Sequence, residues 1–331
     1  MNPNYPKSVK RFIPYLLLAG IVSTTLISLS RYVGWIRALE LLSHFQRQYL
    51  AIIVVLFGLL LLTRRKSFII TGLLCLALSL IPLITWYIPQ SEVDIISTKP
   101  IRVFLSNVHK SNQNYSKVIS LVRKENPDIA VFDEIHENWL EPLNSLKEIL
   151  PYSVKQVNPA SIGITVYSKL PLENVAVDSF GPTNKPGIVA DFTINGQVVS
   201  LVAAHPLPPF QPTFFESRNQ QLKGISQYVK SLKTPVLIVG DLNITMWSPY
   251  YKRLISQTGL RNARQGFGIL PSWPAKSSVS RVPGIIAPLF SIPIDHVLIS
   301  PEIQVLNIRT GQNVGSDHLP LIADLVIPVK E

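Results

Sequence analysis

Three apolar runs without an ionised side chain, 12–29, 49–62 and 68–88, set the pattern of the opening of the chain. The third meets the ~20 residues needed to cross a hydrocarbon core, the first nearly does, and the second needs its flanks to reach. The pattern predicts three transmembrane helices. A cleaved leader would explain only the first run, and no small-residue cleavage site follows Leu29. Trp86 and Tyr87 close the third run, where amphipathic rings favour the headgroup layer. Lys7, Lys10 and Arg11 precede the first run, and Arg64, Arg65 and Lys66 fill the connection between the second and third. By the positive-inside rule both clusters face the cytoplasm, against Arg31, Arg37 and Arg47 in the first loop. The expectation is an integral protein of the cell membrane whose remaining chain is extracytoplasmic. If the second run were only interfacial, that remainder would be cytoplasmic.

From about residue 100 the period changes. Short apolar runs at 101–106, 129–132, 153–157, 163–167, 188–194, 197–203, 236–239, 294–299, 303–308 and 319–326 read as strands, and 115–124, 138–149 and 214–232 as helices. Asn195-Gly196 between two strand runs is a strong hairpin signal, because both residues tolerate positive φ. The expected organisation is a membrane anchor over 1–90, a linker over 91–99 between Pro89 and Pro100, and a folded domain over 100–331. Helices mixed with many strands, some in hairpins, predict an α/β (α+β) sandwich of two packed mixed sheets flanked by helices.

Charge modifies this picture only slightly. The net charge is +11, but nine basic and three acidic residues lie before residue 95, leaving 22 and 17 for the longer remainder. That remainder is too mildly basic to predict a nucleic-acid track by charge alone. The single cysteine, Cys75, lies in an apolar run and excludes a disulfide framework within one chain.

Candidate chemistry gathers at predicted strand ends: Asn107, Glu134, His205, Asp241, Asn243, Asp295, Asp317 and His318. Carboxylates and amides suit a hard cation such as Mg²⁺ or Mn²⁺, whereas zinc favours a denser His or Cys set. The segments that carry them are Leu105-Ser106-Asn107-Val108, the run from Pro127 to Glu134, Ala204-His205-Pro206, Val239-Gly240-Asp241-Leu242-Asn243, Ile294-Asp295-His296-Val297 and Gly315-Ser316-Asp317-His318-Leu319-Pro320. In this order they resemble the endonuclease/exonuclease/phosphatase superfamily, over about residues 100 to 328. With Pro271-Ser272-Trp273-Pro274, the later part is most similar to bacterial members carrying membrane helices.

The resemblance implies a four-layered sandwich and a metal held chiefly by Glu134, with Asn107 and Asp317 positioning it or its water. It implies that Asp241 is the general base and that Asn243 donates to a nonbridging phosphate oxygen. His318 would neutralise charge on the phosphoryl group, Asp295 would orient its ring, and His205 would contact the phosphate or leaving group. Arg218 is a candidate second grip on phosphate or a headgroup, against the plainer alternative of a solvated helix face. His109, His136 and His296 adjoin motif residues without a matching role.

The leading expectation is a membrane-anchored, Mg²⁺- or Mn²⁺-dependent hydrolase of a phosphodiester or phosphomonoester, acting on a lipid headgroup or metabolite. The alternatives are a tethered nuclease, for which Lys252, Arg253, Arg261 and Arg264 would gather on one side, and a binding module that keeps the fold without turnover. The lipid bilayer is an expected partner, and no feature points to an obligate protein partner.

Overall fold

Strand β1 (Ile101–Asn107) turns Val103 and Leu105 to one side and Phe104 to the other, as the two-residue period of an extended chain requires. The two sides meet different partners. Val103 and Leu105 join Val131, Leu201, Leu237, Val239 and Val297 in the core between two sheets, while Phe104 joins Phe132, Val118, Val122 and Trp139 beneath helices. Each fully buried Val, Leu or Phe contributes roughly 1.5–3 kcal/mol, so the two periodic faces of one strand bind three layers together.

The structure, a computed structural model, describes residues 7–89, 100–158, 161–182 and 185–329. The expected linker, 91–99, lies outside the described residues. Contacts divide the chain into one unit of Met1–Tyr87 with Trp247–Pro249, and a second of Ile88–Met246 with Tyr250–Glu331.

The first unit holds α1 (Lys7–Ser28), α2 (Arg37–Leu42), α3 (Gln46–Leu61) and α4 (Lys66–Ile84). Three helical stretches, Arg11–Tyr32, Arg37–Leu61 and Lys66–Tyr87, are long and apolar enough to be candidate membrane spans. The second starts well before the apolar run at 49, because α2 and a 3₁₀ turn at Ser43–Phe45 lead into α3 at Gln46. Arg31 is buried in this unit, donating to Ser28 Oγ (3.2 Å) and Gln46 Oε1 (3.0 Å).

In the second unit, β2 (Ile129–Ile135), β3 (Tyr152–Asn158), β4 (Ser161–Ser168), β11 (Gln304–Thr310) and β12 (Leu321–Val326) complete the first sheet, in the order β11-β12-β1-β2-β4-β3. The second sheet runs β5 (Glu173–Asp178), β6 (Gly187–Ile194), β7 (Gln197–Ala203), β8 (Val236–Asp241), β10 (Asp295–Ile299) and β9 (Arg261–Asn262). Helices α5 (Tyr115–Glu125) and α6 (Glu137–Asn144) cover the outer face of the first sheet. Helices α7 (Pro212–Ser231), α8 (Pro249–Thr258) and the single turn α9 (Ala287–Phe290) complete the set. The expected sandwich of two mixed sheets flanked by helices is the observed one.

Local structure differs from the expected pattern in several places. Strand β5 was not expected, because all six residues are exposed on a sheet edge and carry no buried face to read. Helix α8 was also unforeseen. Helix α6 stops at Asn144, just after Pro142, and continues to Glu148 only as a 3₁₀ turn. The hairpin at Asn195-Gly196 is present, with φ of 52° and 73° in a two-residue turn pairing Ile194 with Gln197.

Candidate active site

Register alone brings the first residues together. Strands β1 and β2 are parallel with Asn107 opposite Asp133, and β8 and β10 are antiparallel with Asp241 opposite Asp295. Across the sandwich, the Asp241 N–H donates to Asp133 Oδ2 at 2.8 Å, which ties the two strand edges into one floor. Glu134 follows Asp133 with φ of 62°, at a bulge between Asp133 and Ile135. A bulge re-aims a side chain that regular alternation would turn away. Asn107 then bridges the acids: its Nδ2 donates to Glu134 Oε1 (3.2 Å) and Asp241 Oδ2 (3.0 Å). The Lys110 N–H supports Glu134 Oε2 at 3.0 Å.

Asp241 is the hub. Its Oδ1 accepts the Asn243 N–H (2.9 Å), and its Oδ2 lies 3.6 Å from His205 Nε2 and 3.7 Å from His318 Nε2. Gly240 makes this possible, since a Cβ there would stand 1.9 Å from the Ala204 carbonyl oxygen, beside His205. A Gly240→Ala variant is expected to lose about 3 kcal/mol or more in denaturant melts, because backbone rather than a flexible side chain fills the space. His318 is oriented from two sides: its Nδ1 donates to Asp295 Oδ2 (2.9 Å), and its N–H donates to Ser316 Oγ (3.0 Å). Ser316 in turn donates to the Asn107 carbonyl at 2.7 Å.

Burial and neighbouring charge set the protonation states. Burial pushes the Asp241 carboxyl up to about 8, and the Asp295 charge acts in the same direction. Burial opposes a charged His318, but the Asp295 and Asp241 carboxylates outweigh it and raise its pKa to about 10. Burial lowers His205 to about 4, despite the pull of Glu134, so it is neutral at pH 7. Burial disfavours ionised Glu134 and Asp295 as well. His205 and His318 more than compensate for Glu134, and His318 for Asp295, and both acids lie below their ordinary values.

The donor set fits a hard cation. Asp317 Oδ1 is buried without a hydrogen-bond donor, and Asp133 is held well above its ordinary pKa, first by burial and also by the charges of Asp241, Asp295 and Glu134. Crowded, under-compensated carboxylate oxygens of this kind are what a divalent ion satisfies. Among the described residues, Asp241, Asp295 and His318 also offer ligand atoms within 4.8 Å of one another. Asp295 Oδ2 and His318 Nδ1 already satisfy each other in that trio, so its geometry favours an acid-imidazole relay.

The model of the Endonuclease/Exonuclease/phosphatase family matches residues 102–318, from the second residue of β1 to His318. The chain belongs to the endonuclease/exonuclease/phosphatase family. Its fold recurs in truncated Caenorhabditis elegans TDP2, with 17% identity, 68% of this chain and 97% of that one covered, and a TM-score of 0.56. The human nocturnin catalytic domain with bound sulfate matches at 17% identity, 70% and 94% coverage, and a TM-score of 0.58. D. rerio TDP2 complexed with a single strand DNA product matches at 14% identity, 69% and 100% coverage, and 0.57. No curated protein matches the chain.

Of the residues that the sequence nominated in this family member, Asn107, Glu134, His205, Asp241, Asn243, Asp295 and His318 share the linked network just described. Asp317 is reached through Trp273, whose Nε1 donates to its Oδ2 at 3.0 Å while the ring lies 6.3 Å from that of His318. Arg218 is placed differently from a substrate grip. It is fully buried and donates to the Asn243 carbonyl at 3.1 Å, holding the loop after β8 from behind. Asn243, with φ of 50°, spends one amide hydrogen on the Pro206 carbonyl at 2.9 Å. His296 is buried with Nε2 2.7 Å from the Ile244 carbonyl and Nδ1 3.0 Å from Asn262 Nδ2, a packing duty.

Asp133 and Trp273 carried no assigned role in the sequence. The signal for Asp133 was present, since it closes the apolar run Ile129–Phe132, where a carboxylate needs a buried partner. Nothing local to Trp273 announces that its indole meets Asp317, which lies 44 positions further along the chain.

Proposed function

We propose that this family member is a membrane-anchored, divalent-metal-dependent phosphoesterase that hydrolyses a phosphodiester or phosphomonoester by in-line attack of water. The observation that carries the reading is the meeting of strand ends from both sheets on one carboxylate, Asp241, with Asn107, His205 and His318 around it. Glu134, Asn107 and Asp317 would hold Mg²⁺ or Mn²⁺. Bound there, such an ion supplies positive charge to phosphate oxygens and acidifies water.

The chain's own groups do the rest. Asp241, once ionised, is a stronger base than an ordinary carboxylate and takes the proton of the attacking water. His318, protonated at neutral pH, donates to the phosphoryl oxygens as their charge grows, and Asp295 fixes its ring. Asn243 offers its second amide hydrogen to a nonbridging oxygen. Neutral His205 faces the phosphate or the leaving group. The three candidate spans support an anchor in the cell membrane, and the basic clusters Lys7, Lys10, Arg11 and Arg64, Arg65, Lys66 favour an extracytoplasmic catalytic unit.

Full-length protein in detergent should hydrolyse a chromogenic phosphodiester, lose that activity in EDTA and regain it with Mg²⁺ or Mn²⁺. Glu134→Gln should raise the metal concentration for half-activity by about tenfold or more. Activity indifferent to EDTA would refute the metal assignment.

A nuclease is the second reading, favoured by the DNA product in one structural neighbour. Against it, Arg264 is fully buried and donates to the Leu270 carbonyl, and Arg261 donates to the Ile303 carbonyl, so neither is a free phosphate contact. Plasmid cleavage without hydrolysis of phospholipid or the chromogenic ester would decide for it.

A further inference from the structure

Between Trp273 and Asp295 the chain leaves the site and returns, and most of what it carries outward is apolar. Its roots are pinned. Trp273 and Ile292 form an isolated β-bridge, and the Ala275 N–H donates to the Asp317 carbonyl at 2.7 Å. Beyond the roots, Ile285 is 89% exposed, Leu289 66% and Phe290 47%, while Ala287 alone in 281–290 is buried. Folding gains nothing from displaying such side chains. Elsewhere in the catalytic unit the exposed large hydrophobics, such as Tyr152 and Leu306, are scattered, as is normal for any surface. Here they crowd into one turn, the turn that holds α9.

Charge selects the occupant. From 242 to 294 the chain has no Asp or Glu, and the two ionised side chains between Trp273 and Asp295, Lys276 and Arg281, are both exposed. Apolar side chains flanked by cations and free of carboxylates match an anionic lipid surface, whose headgroups draw Lys and Arg while the acyl boundary takes Ile, Leu and Phe. A protein partner would match the apolar part but would not require the absence of acids. The same chain carries three candidate spans, and only 13 residues, 88–100, separate Tyr87 from β1, so a bilayer would be present at high effective concentration. The finger also adjoins the chemistry: the exposed Phe210 ring lies 6.4 Å from Trp273, which lies 6.3 Å from His318.

We infer that the segment 281–290, with Phe210 beside it, is a membrane-docking finger that sets the catalytic mouth on an anionic lipid surface, so that the substrate is a phosphate ester held in that surface. This rests on the phosphoesterase reading for its substrate class, but the docking stands or falls separately.

The test uses full-length protein in a Cys75→Ser background, with Ile285→Cys or Leu289→Cys carrying an environment-sensitive NBD label. The protein is reconstituted in phosphatidylcholine vesicles with a minor share of phosphatidylglycerol. NBD emission should shift to the blue and be quenched by lipids bearing a doxyl group near the top of the acyl chain, whereas a label at Glu173, on the exposed β5 edge, should not respond. Water-like emission without quenching at both finger positions overturns the proposal. In the same vesicles, an Ile285→Asp/Leu289→Asp variant should lose about tenfold or more on a phospholipid substrate and keep its rate on a soluble chromogenic ester. Equal rates on the lipid would also overturn it. If the labelled finger variants show quenching but the unsubstituted protein hydrolyses neither ester, the docking holds and the phosphoesterase reading fails.

Discussion

Asp241→Asn is expected to lower kcat on a chromogenic ester by about 10²–10⁴-fold, the usual worth of a positioned general base. The loss should come without a matching loss of fold. An acid whose pKa is raised in the folded state destabilises the protein as pH rises from its unfolded value towards its folded one. For Asp241 that window runs from its ordinary 3.8 to about 8. In EDTA the unsubstituted protein should therefore lose thermal stability across that interval, and the Asn variant should lose less. The Asn243 N–H keeps its acceptor in the variant, while the contact with the Asn107 amide is given up. Melting curves from pH 4 to pH 9 beside steady-state kinetics check both parts. A variant that retains most of its kcat removes Asp241 from the role of base.

The second large effect concerns His318. Removing a donor aimed at developing charge costs about 10²–10³ in kcat, and His318→Gln is expected to fall in that range. Protonated His318 is supported by Asp295, so activity should persist into alkaline solution and decline only as pH approaches about 10. The stability that this histidine contributes is fully present below its ordinary value of 6.5 and is lost as pH rises through about 10. The Asp295 charge raises both His318 and Asp241. Asp295→Asn should thus move both limbs of the pH profile downward as well as lowering the rate. A profile whose limbs stay in place in that variant would detach Asp295 from both groups.

The two predictions share a structural cause. Asp241 and Asp295 face each other across the β8–β10 ladder, and a ladder cannot separate two opposed side chains. Like charges at that spacing raise one pKa and demand a cation nearby, and His318 answers for Asp295. Arg218 acts one step further back, through the carbonyl of Asn243, whose N–H also supports Asp241, so its loss should weaken both phosphate binding and the positioning of the base.

Much of this was legible in the linear text. The unbroken apolar stretch Val103-Phe104-Leu105 marks β1 as a strand buried on both faces, and Asn195-Gly196 fixes a hairpin because few other pairs accept two positive φ angles. The six short motifs in order pointed to the family and nominated the residues that share the network. Local chemistry suffices for such features because neighbours along the chain impose them. Other features depend on residues far apart. The positive φ of Glu134, the clasp of Asp133 on the Asp241 amide and the turning of Arg218 away from the pocket arise only when two sheets close on each other. The exposed finger at 281–290 reads in sequence as another apolar run, and burial elsewhere is what leaves it outside. Periodicity and turn chemistry decided most of the elements, and the ordered motifs nominated the candidate site residues. Packing across the sandwich decided the protonation states, because desolvation and the distance between charges are properties of the folded interior alone.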